Sequence, residues 1–194
     1  VVCGGKIDKE FGLNEIKTDG IDAIIAADSG MDFLYENGVT PDIIVGDFDS
    51  ATTKALEFFE RKGQTEIHRL NPIKDDTDTE YAIRLAIREG ARSIVVLGAT
   101  GSRIDHVLGN ISLLGIGLES KTDISIIDTN NRIRMADKPV TIEKSAQYGR
   151  FVSLIAVTDD NEVSLKGFKY PVTDYSFDRF TSLGISNEIV DDHA

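Results

Sequence analysis

Three short stretches concentrate carboxylates beside glycines and hydroxyls: Gly46-Asp47-Phe48-Asp49-Ser50, Asp75-Asp76-Thr77-Asp78, and Gly98-Ala99-Thr100-Gly101-Ser102-Arg103-Ile104-Asp105-His106. Carboxylates packed together raise the cost of ionising one another. Their convergence on one site makes sense when something strongly cationic sits among them. A divalent metal carrying a polyphosphate fits, because Mg2+ takes hard oxygen ligands and is commonly shared between one or two carboxylates and substrate phosphates.

Each stretch has a functional and a plainer reading. Asp47 and Asp49, one residue apart after an apolar run, both reach a metal if the chain turns sharply, and Gly46 permits that approach. The plainer reading makes Asp49 or Ser50 a helix cap. Asp76 and Asp78 stand where a helix begins, a place that favours negative charge. Capping accounts for one or two of these acids but not for three in four residues, so Asp76 and Asp78 are read as functional and Asp75 as solvated. In the third stretch, N–H groups at a helix start suit phosphate oxygens, and Arg103 adds a bidentate clamp. No Gly-Lys-Ser/Thr follows, so it is not a Walker A loop. Asp105 is open to three roles: cap, metal ligand or proton acceptor. Asp28-Ser29-Gly30 either binds a nucleotide or simply starts a helix, and the residues alone leave this open.

The elements around these stretches alternate. Apolar runs at 23–27, 43–45, 67–70, 94–97 and 124–127 read as buried strands, and segments 31–37, 52–62, 78–89 and 105–119 read as helices. The helix at 78–89 is the best specified: Thr77 and Glu80 fit a capping box and Gly90 supplies the stop. This alternation predicts a mainly parallel, Rossmann-like α/β sheet with flanking helices, in which ligands bind beyond the carboxyl ends of the strands. All the acidic and glycine-rich turns fall on that rim. Beyond Asn130-Asn131 the rhythm changes to strand-like runs at 140–143, 151–157 and 163–168 without helical period, which predicts a small antiparallel β-sandwich. The expected organisation is thus an α/β nucleotide-binding domain over 1–130 and a β domain over 131–194.

Bulk properties narrow the function. The chain of 194 residues carries a formal charge of −12, which argues against nucleic acid or an anionic membrane as partner. The same charge repels free nucleotide, so a nucleotide arrives as its metal complex. The single cysteine, Cys3, forms no internal disulfide, which agrees with a reducing cytoplasm. No apolar run approaches the roughly 18 residues a membrane span requires. The opening Val1-Val2-Cys3-Gly4-Gly5 reads as a first strand lacking its leading residues, not as a signal peptide.

Taken together, these stretches closely resemble the thiamine pyrophosphokinase family, bacterial type. The resemblance rests on Ala27-Asp28-Ser29-Gly30, Pro41-Asp42, Gly46 to Ser50, Lys74 to Asp78 with Glu80 and Ala82, Gly98 to Gly101 with Arg103, Asp105, His106 and Asn110, Gly167-Phe168-Lys169-Tyr170-Pro171, and Ser182 to Glu188. It implies transfer of a pyrophosphoryl group from ATP to the hydroxyl of thiamine, with Mg2+, in a homodimer whose site lies between subunits. It implies that Asp47, Asp49 and Asp78 bind metal with Asp76 and Asp105 close by, and that Asp28, Ser29, Gly30, Thr100, Gly101 and Arg103 hold the nucleotide. Ser186 and Asn187 would touch thiamine, and Asp105 or Asp78 would take the hydroxyl proton.

Two features depart from the family pattern. The chain has no tryptophan to stack on thiamine, and it stops at Ala194 soon after Ser186-Asn187-Glu188, where a further strand or two is expected, so the tail reads as truncated. Two other functions share the motifs: a metal-dependent phosphohydrolase with Asp47 as nucleophile, and a nucleotide or thiamine sensor without turnover.

Overall fold

Short β-branched and small apolar runs become strands, and amphipathic segments between them become helices. The computed structural model describes residues 1–49, 52–73 and 75–194. In chain order the elements are α1 (Lys9–Ile16), β1 (Ile25–Ala27), α2 (Gly30–Glu36), β2 (Ile43–Gly46), α3 (Thr53–Lys62), β3 (Glu66–Arg69), α4 (Asp78–Arg88), β4 (Ser93–Val96), α5 (Ile104–Ser120), β5 (Asp123–Ile127), β6 (Arg132–Arg134), β7 (Asn161–Leu165) and β8 (Val172–Phe177). Ser50, the alternative cap, and Lys74 of the family-like motif lie outside the described residues.

The chain divides into two compact units, Val1–Asp137 and Lys138–Ala194. The change comes after Asp137, not at Asn130-Asn131, because β6 pairs antiparallel with β5 and so belongs to the first unit. In that unit β1, β2 and β3 run parallel, as do β4 and β5. The N-terminal residues join the two groups: Val2 bridges Ala26 on one side and Leu97 on the other, both in parallel sense. Val2 N donates to Ile25 O at 2.8 Å and Cys3 N donates to Leu97 O at 2.8 Å. The lateral order is therefore β3-β2-β1, then residues 1–3, then β4-β5-β6, which places a topological switch between residues 1–3 and β4.

Alternate residues of each strand face opposite sides of the sheet, and each side has its own core. Ile25, Ala27, Val45, Ile94, Val96, Ile124 and Ile126 pack with Ala82, Ile83, Leu85 and Ala86 of α4 and Leu114 of α5. Val2, Ala26, Ile44, Leu97 and Ile127 pack on the other side with Met31 and Leu34 of α2 and with Ala55 and Phe59 of α3; Phe11 and Ile16 of α1 join them. Edge strand β3 carries Glu66 and Arg69, charges that discourage pairing with another chain.

At the start of α4, Thr77 accepts a hydrogen bond from Glu80 N at 3.2 Å. The return half of the expected capping box is replaced: the Glu80 carboxylate accepts from Arg84 Nε at 2.8 Å. At α3 the cap is Thr52, held by Asp32 of α2. No helix among the described residues is long and apolar enough to cross a membrane.

The second unit is antiparallel in character. β7 and β8 form a two-stranded sheet with a register irregularity between Val163 and Leu165. The run 151–157, expected as a strand, is tied by the bridge Val152↔Asn187 and by Leu154 N donating to Gly184 O, and 140–143 by the bridge Glu143↔His193.

Candidate active site at the carboxyl ends of the strands

The strand ends deliver the polar residues. Ala27 pairs in register with Val45, so Asp28 and Gly46-Asp47 leave the sheet beside each other. Asp78, brought back by the loop after β3, starts α4 over the same edge. One carboxylate oxygen from each of Asp28, Asp47 and Asp78 lies within 4.8 Å of the others. All three side chains are half-buried.

Asp28 is the electrostatic focus. Its Oδ1 is buried and lacks a hydrogen-bond partner. Its carboxyl is pushed above the usual range mainly by burial; the backbone N–H of Ser29 opposes this, and Asp78, Asp47 and Asp49 add like charge. Asp28 also has φ 48, and Phe48, between Asp47 and Asp49, has φ 64. Left-handed backbone at such residues costs of order 1 kcal/mol or more and collects at functional sites. An acceptor-only, half-desolvated group of this kind is what a hard cation relieves.

The other acids stand apart from this group. Asp49 is exposed, although close enough to raise Asp28, and its N–H donates to Asp47 Oδ1 at 3.2 Å. Asp75 and Asp76 are exposed and lie outside the three-carboxylate group. Asp105 is held by Arg103, whose Nε and Nη2 donate to its two oxygens at 3.2 and 2.7 Å. Hydrogen bonding from Arg103 holds the Asp105 carboxyl below the usual range.

The glycine-rich turn after β4 abuts the Asp28 turn through residues that composition alone did not single out. Gly5 N donates to Gly98 O at 2.9 Å, and a Cβ on Gly4 would lie 2.0 Å from Ser29 Oγ. Gly4-Gly5 thus sits between the two turns. Gly98 has φ 71 and a Cβ there would meet Cys3 O at 2.3 Å, so both backbone shape and space require glycine. Gly30 has a packing role: a Cβ would lie 2.0 Å from Val2 O, where α2 approaches residues 1–3. Thr100 donates to Asp128 Oδ2 at 2.7 Å, and Asn110 Nδ2 donates to Ala99 O at 2.9 Å. Neither Asp128 nor the Gly4-Gly5 pair was expected at the site; their position after strand ends was the available signal.

In the second unit, Asn187 is buried and its amide serves the fold. Its Oδ1 accepts from Tyr170 N at 3.1 Å and Glu188 N at 3.0 Å, and its Nδ2 donates to Tyr170 O at 2.9 Å. Ser186 is exposed, has φ 61, and donates its N–H to Ser153 Oγ at 3.0 Å. Glu188 is gripped by Lys169 at 2.9 Å and Arg150 at 3.1 Å.

Comparison with known proteins agrees with this organisation. The family profile described as thiamin pyrophosphokinase, catalytic domain, matches residues 17–127, and that for the thiamin pyrophosphokinase vitamin B1 binding domain matches 139–194. The thiamine pyrophosphokinase of Bacillus subtilis (strain 168) is 36% identical over 168 residues, covering 86% of this chain and 78% of its own. A crystal structure of the Bacillus subtilis enzyme superimposes with a TM-score of 0.86 at 33% identity, covering 99% of this chain and 89% of the other. The Geobacillus thermodenitrificans thiamin pyrophosphokinase structure gives 0.79 at 30% identity, with 99% and 88% covered.

Proposed function

The chain belongs to the thiamine pyrophosphokinase family, and on that premise we propose that it transfers a pyrophosphoryl group from ATP to the hydroxyl of thiamine, releasing AMP and thiamine diphosphate. The observation that carries this reading is the meeting of Asp28, Asp47 and Asp78 at the strand ends, with one buried Asp28 oxygen unpartnered.

The donor set is all carboxylate, which suits Mg2+. Asp28, Asp47 and Asp78 would hold it, and when bound it supplies positive charge that offsets the phosphate oxygens. Asp49 and Asp76 stand as outer neighbours in this reading. The chain's own contribution is positioning and charge, which carry most of phosphoryl transfer. Ser29 and the N–H groups of Thr100 and Gly101 orient the nucleotide. Arg103 now commits its Nε and one Nη2 N–H to Asp105, so a bidentate grip on phosphate through that edge needs Asp105 released, while Nη1 can still reach phosphate. Asp105, kept acidic by Arg103, is a weak proton acceptor while paired.

Ser186, exposed in a left-handed turn, is the better candidate for thiamine than Asn187, whose amide holds Tyr170 and Glu188. Family resemblance supports a homodimer with the site between subunits, acting in the cytoplasm on ATP and thiamine.

Incubation with ATP, Mg2+ and thiamine tests the proposal. AMP and thiamine diphosphate are expected in equal amounts. Inorganic phosphate alone would point to a phosphohydrolase, and binding without either product to a sensor.

A further inference from the structure

Asp128 follows β5 directly and lies on the same sheet edge as the glycine-rich turn after β4, yet it is not among the three clustered carboxylates. Its oxygens are committed within the fold. Oδ1 accepts from Asn130 N at 2.7 Å, from Asn131 N at 2.8 Å and from Asn131 Nδ2 at 3.0 Å. Oδ2 accepts from Asn131 Nδ2 at 3.1 Å and, across 28 residues of chain, from Thr100 Oγ1 at 2.7 Å. Backbone completes the turn, with Asp128 N donating to Asn131 O at 2.9 Å.

This pattern separates anchoring from ligand binding. A carboxylate whose lone pairs already take a tight turn of backbone donors has little left for a substrate hydroxyl. The turn makes Asp128 rigid, and the rigid group holds a single side chain of the neighbouring loop. On its other flank that loop is held by Gly5 N, donating to Gly98 O, and by Asn110 on Ala99 O. Thr100 has one hydrogen bond of this kind, to a charged acceptor, and such bonds are the stronger ones.

We infer that Asp128 is a positioning residue for the turn 98–102: by gripping the Thr100 hydroxyl it fixes where the turn's N–H groups point, and so sets affinity for the polyphosphate of a nucleotide. The inference rests on the proposed function, because that reading assigns the turn to ATP.

The test is binding of α,β-methylene-ATP, which cannot be cleaved between its α and β phosphorus atoms, in the presence of Mg2+ to the intact chain. Asp128→Ala and Thr100→Val should each weaken binding by about tenfold, the scale of one hydrogen bond to a charged group. The double variant should be no weaker than Asp128→Ala alone, because that substitution already removes the acceptor of the Thr100 hydroxyl and of the donors in the 128–131 turn. Thr100→Ser, which keeps the hydroxyl, should stay within about twofold of the parent. Thr100→Val removes only this bond and should leave the chain cooperatively folded, with its unfolding midpoint lowered by no more than about 10 °C, which covers the case of an unstable Asp128→Ala. Losses that multiply in the double variant, or unaltered binding by either single, overturn the inference while leaving the proposed function standing. Absence of binding by the unmodified chain overturns the proposed function and this inference with it.

Discussion

Ala27 of β1 and Val45 of β2 are partners in a parallel ladder, and this pairing brings Asp28 and Asp47 out of the sheet side by side. Neither acid is remarkable alone. Together with Asp78 they form a half-buried patch of negative charge in which the field of each neighbour falls on Asp28.

Asp28→Asn should therefore stabilise the metal-free protein at neutral pH. Because the folded-state pKa of Asp28 is raised, the native chain binds more protons than the unfolded chain just above the usual carboxylate range. Stability then falls as pH rises through that window, and ionised Asp28 costs stability above it. Removing the charge should lift the unfolding midpoint at pH 7, by about 2–4 °C for each kcal/mol relieved in a chain of this size. The same variant should lose the rise in midpoint that added Mg2+ gives the parent. Calorimetry with and without Mg2+ checks both; a midpoint that drops in the metal-free variant would refute the electrostatic account.

Asp47→Asn and Asp78→Asn should each lower turnover by more than about a hundredfold, since even residues that only support metal ligands cost 10–100-fold when changed. Both should still unfold cooperatively, because Asp47 follows β2 and Asp78 opens α4, each outside the two apolar cores. Asp76→Asn, exposed and outside the group, should cost less than about tenfold. Steady-state kinetics of the three variants decides the assignment; an Asp76 effect equal to that of Asp78 would show that the metal site extends beyond the three.

Strands β1 to β5 and β7 and the helices α2 to α5 were legible in the sequence because each combines an apolar run with a turn signal at its ends. Strand β8 was not legible in this way, and the runs 140–143 and 151–157 hold only isolated bridges. α1 was not, since Gly12 interrupts Lys9–Ile16 and is its only buried residue; only Asp8, which caps it through Phe11 N, marked its start. β6 escaped notice because Arg132-Ile133-Arg134 has no strand-like composition and exists through its ladder to β5. The motif-bearing stretches could be placed after strand ends from the sequence, but which of their acids meet could not be read there. That depends on the β1–β2 register, which promotes Asp28 from nucleotide contact to member of the carboxylate group, and on Arg103, which takes Asp105 for itself. Asn187 reads as a binding residue in a polar loop, whereas burial turns its amide inward.

Asp105→Asn should free the Arg103 guanidinium and lower KM for ATP by about two- to fivefold, the range expected for an exposed ion pair. Arg103→Ala should raise that KM by about tenfold or more. The depressed pKa of Asp105 means the pair persists as pH falls below the usual carboxylate range and is lost only through the lower folded value. The effect of Asp105→Asn on KM should accordingly be constant from pH 6 to 8. If kcat instead collapses with KM unchanged, Asp105 itself takes the thiamine proton.

Ser186 and Asn187 are adjacent but should behave oppositely. Asn187→Ala removes a buried amide and its three hydrogen bonds to Tyr170 N, Glu188 N and Tyr170 O, each worth about 0.5–1.5 kcal/mol. The second unit should then unfold at lower denaturant, visible as a shifted midpoint with thiamine KM little altered in whatever fraction remains folded. Ser186→Ala deletes only an exposed hydroxyl, so the midpoint should stay and thiamine KM should rise. Ser186→Gly supplies a further check, because φ 61 suits glycine: stability should hold or improve while thiamine KM rises as in the alanine variant. Equal thiamine KM in parent and both Ser186 variants would remove this turn from the substrate site.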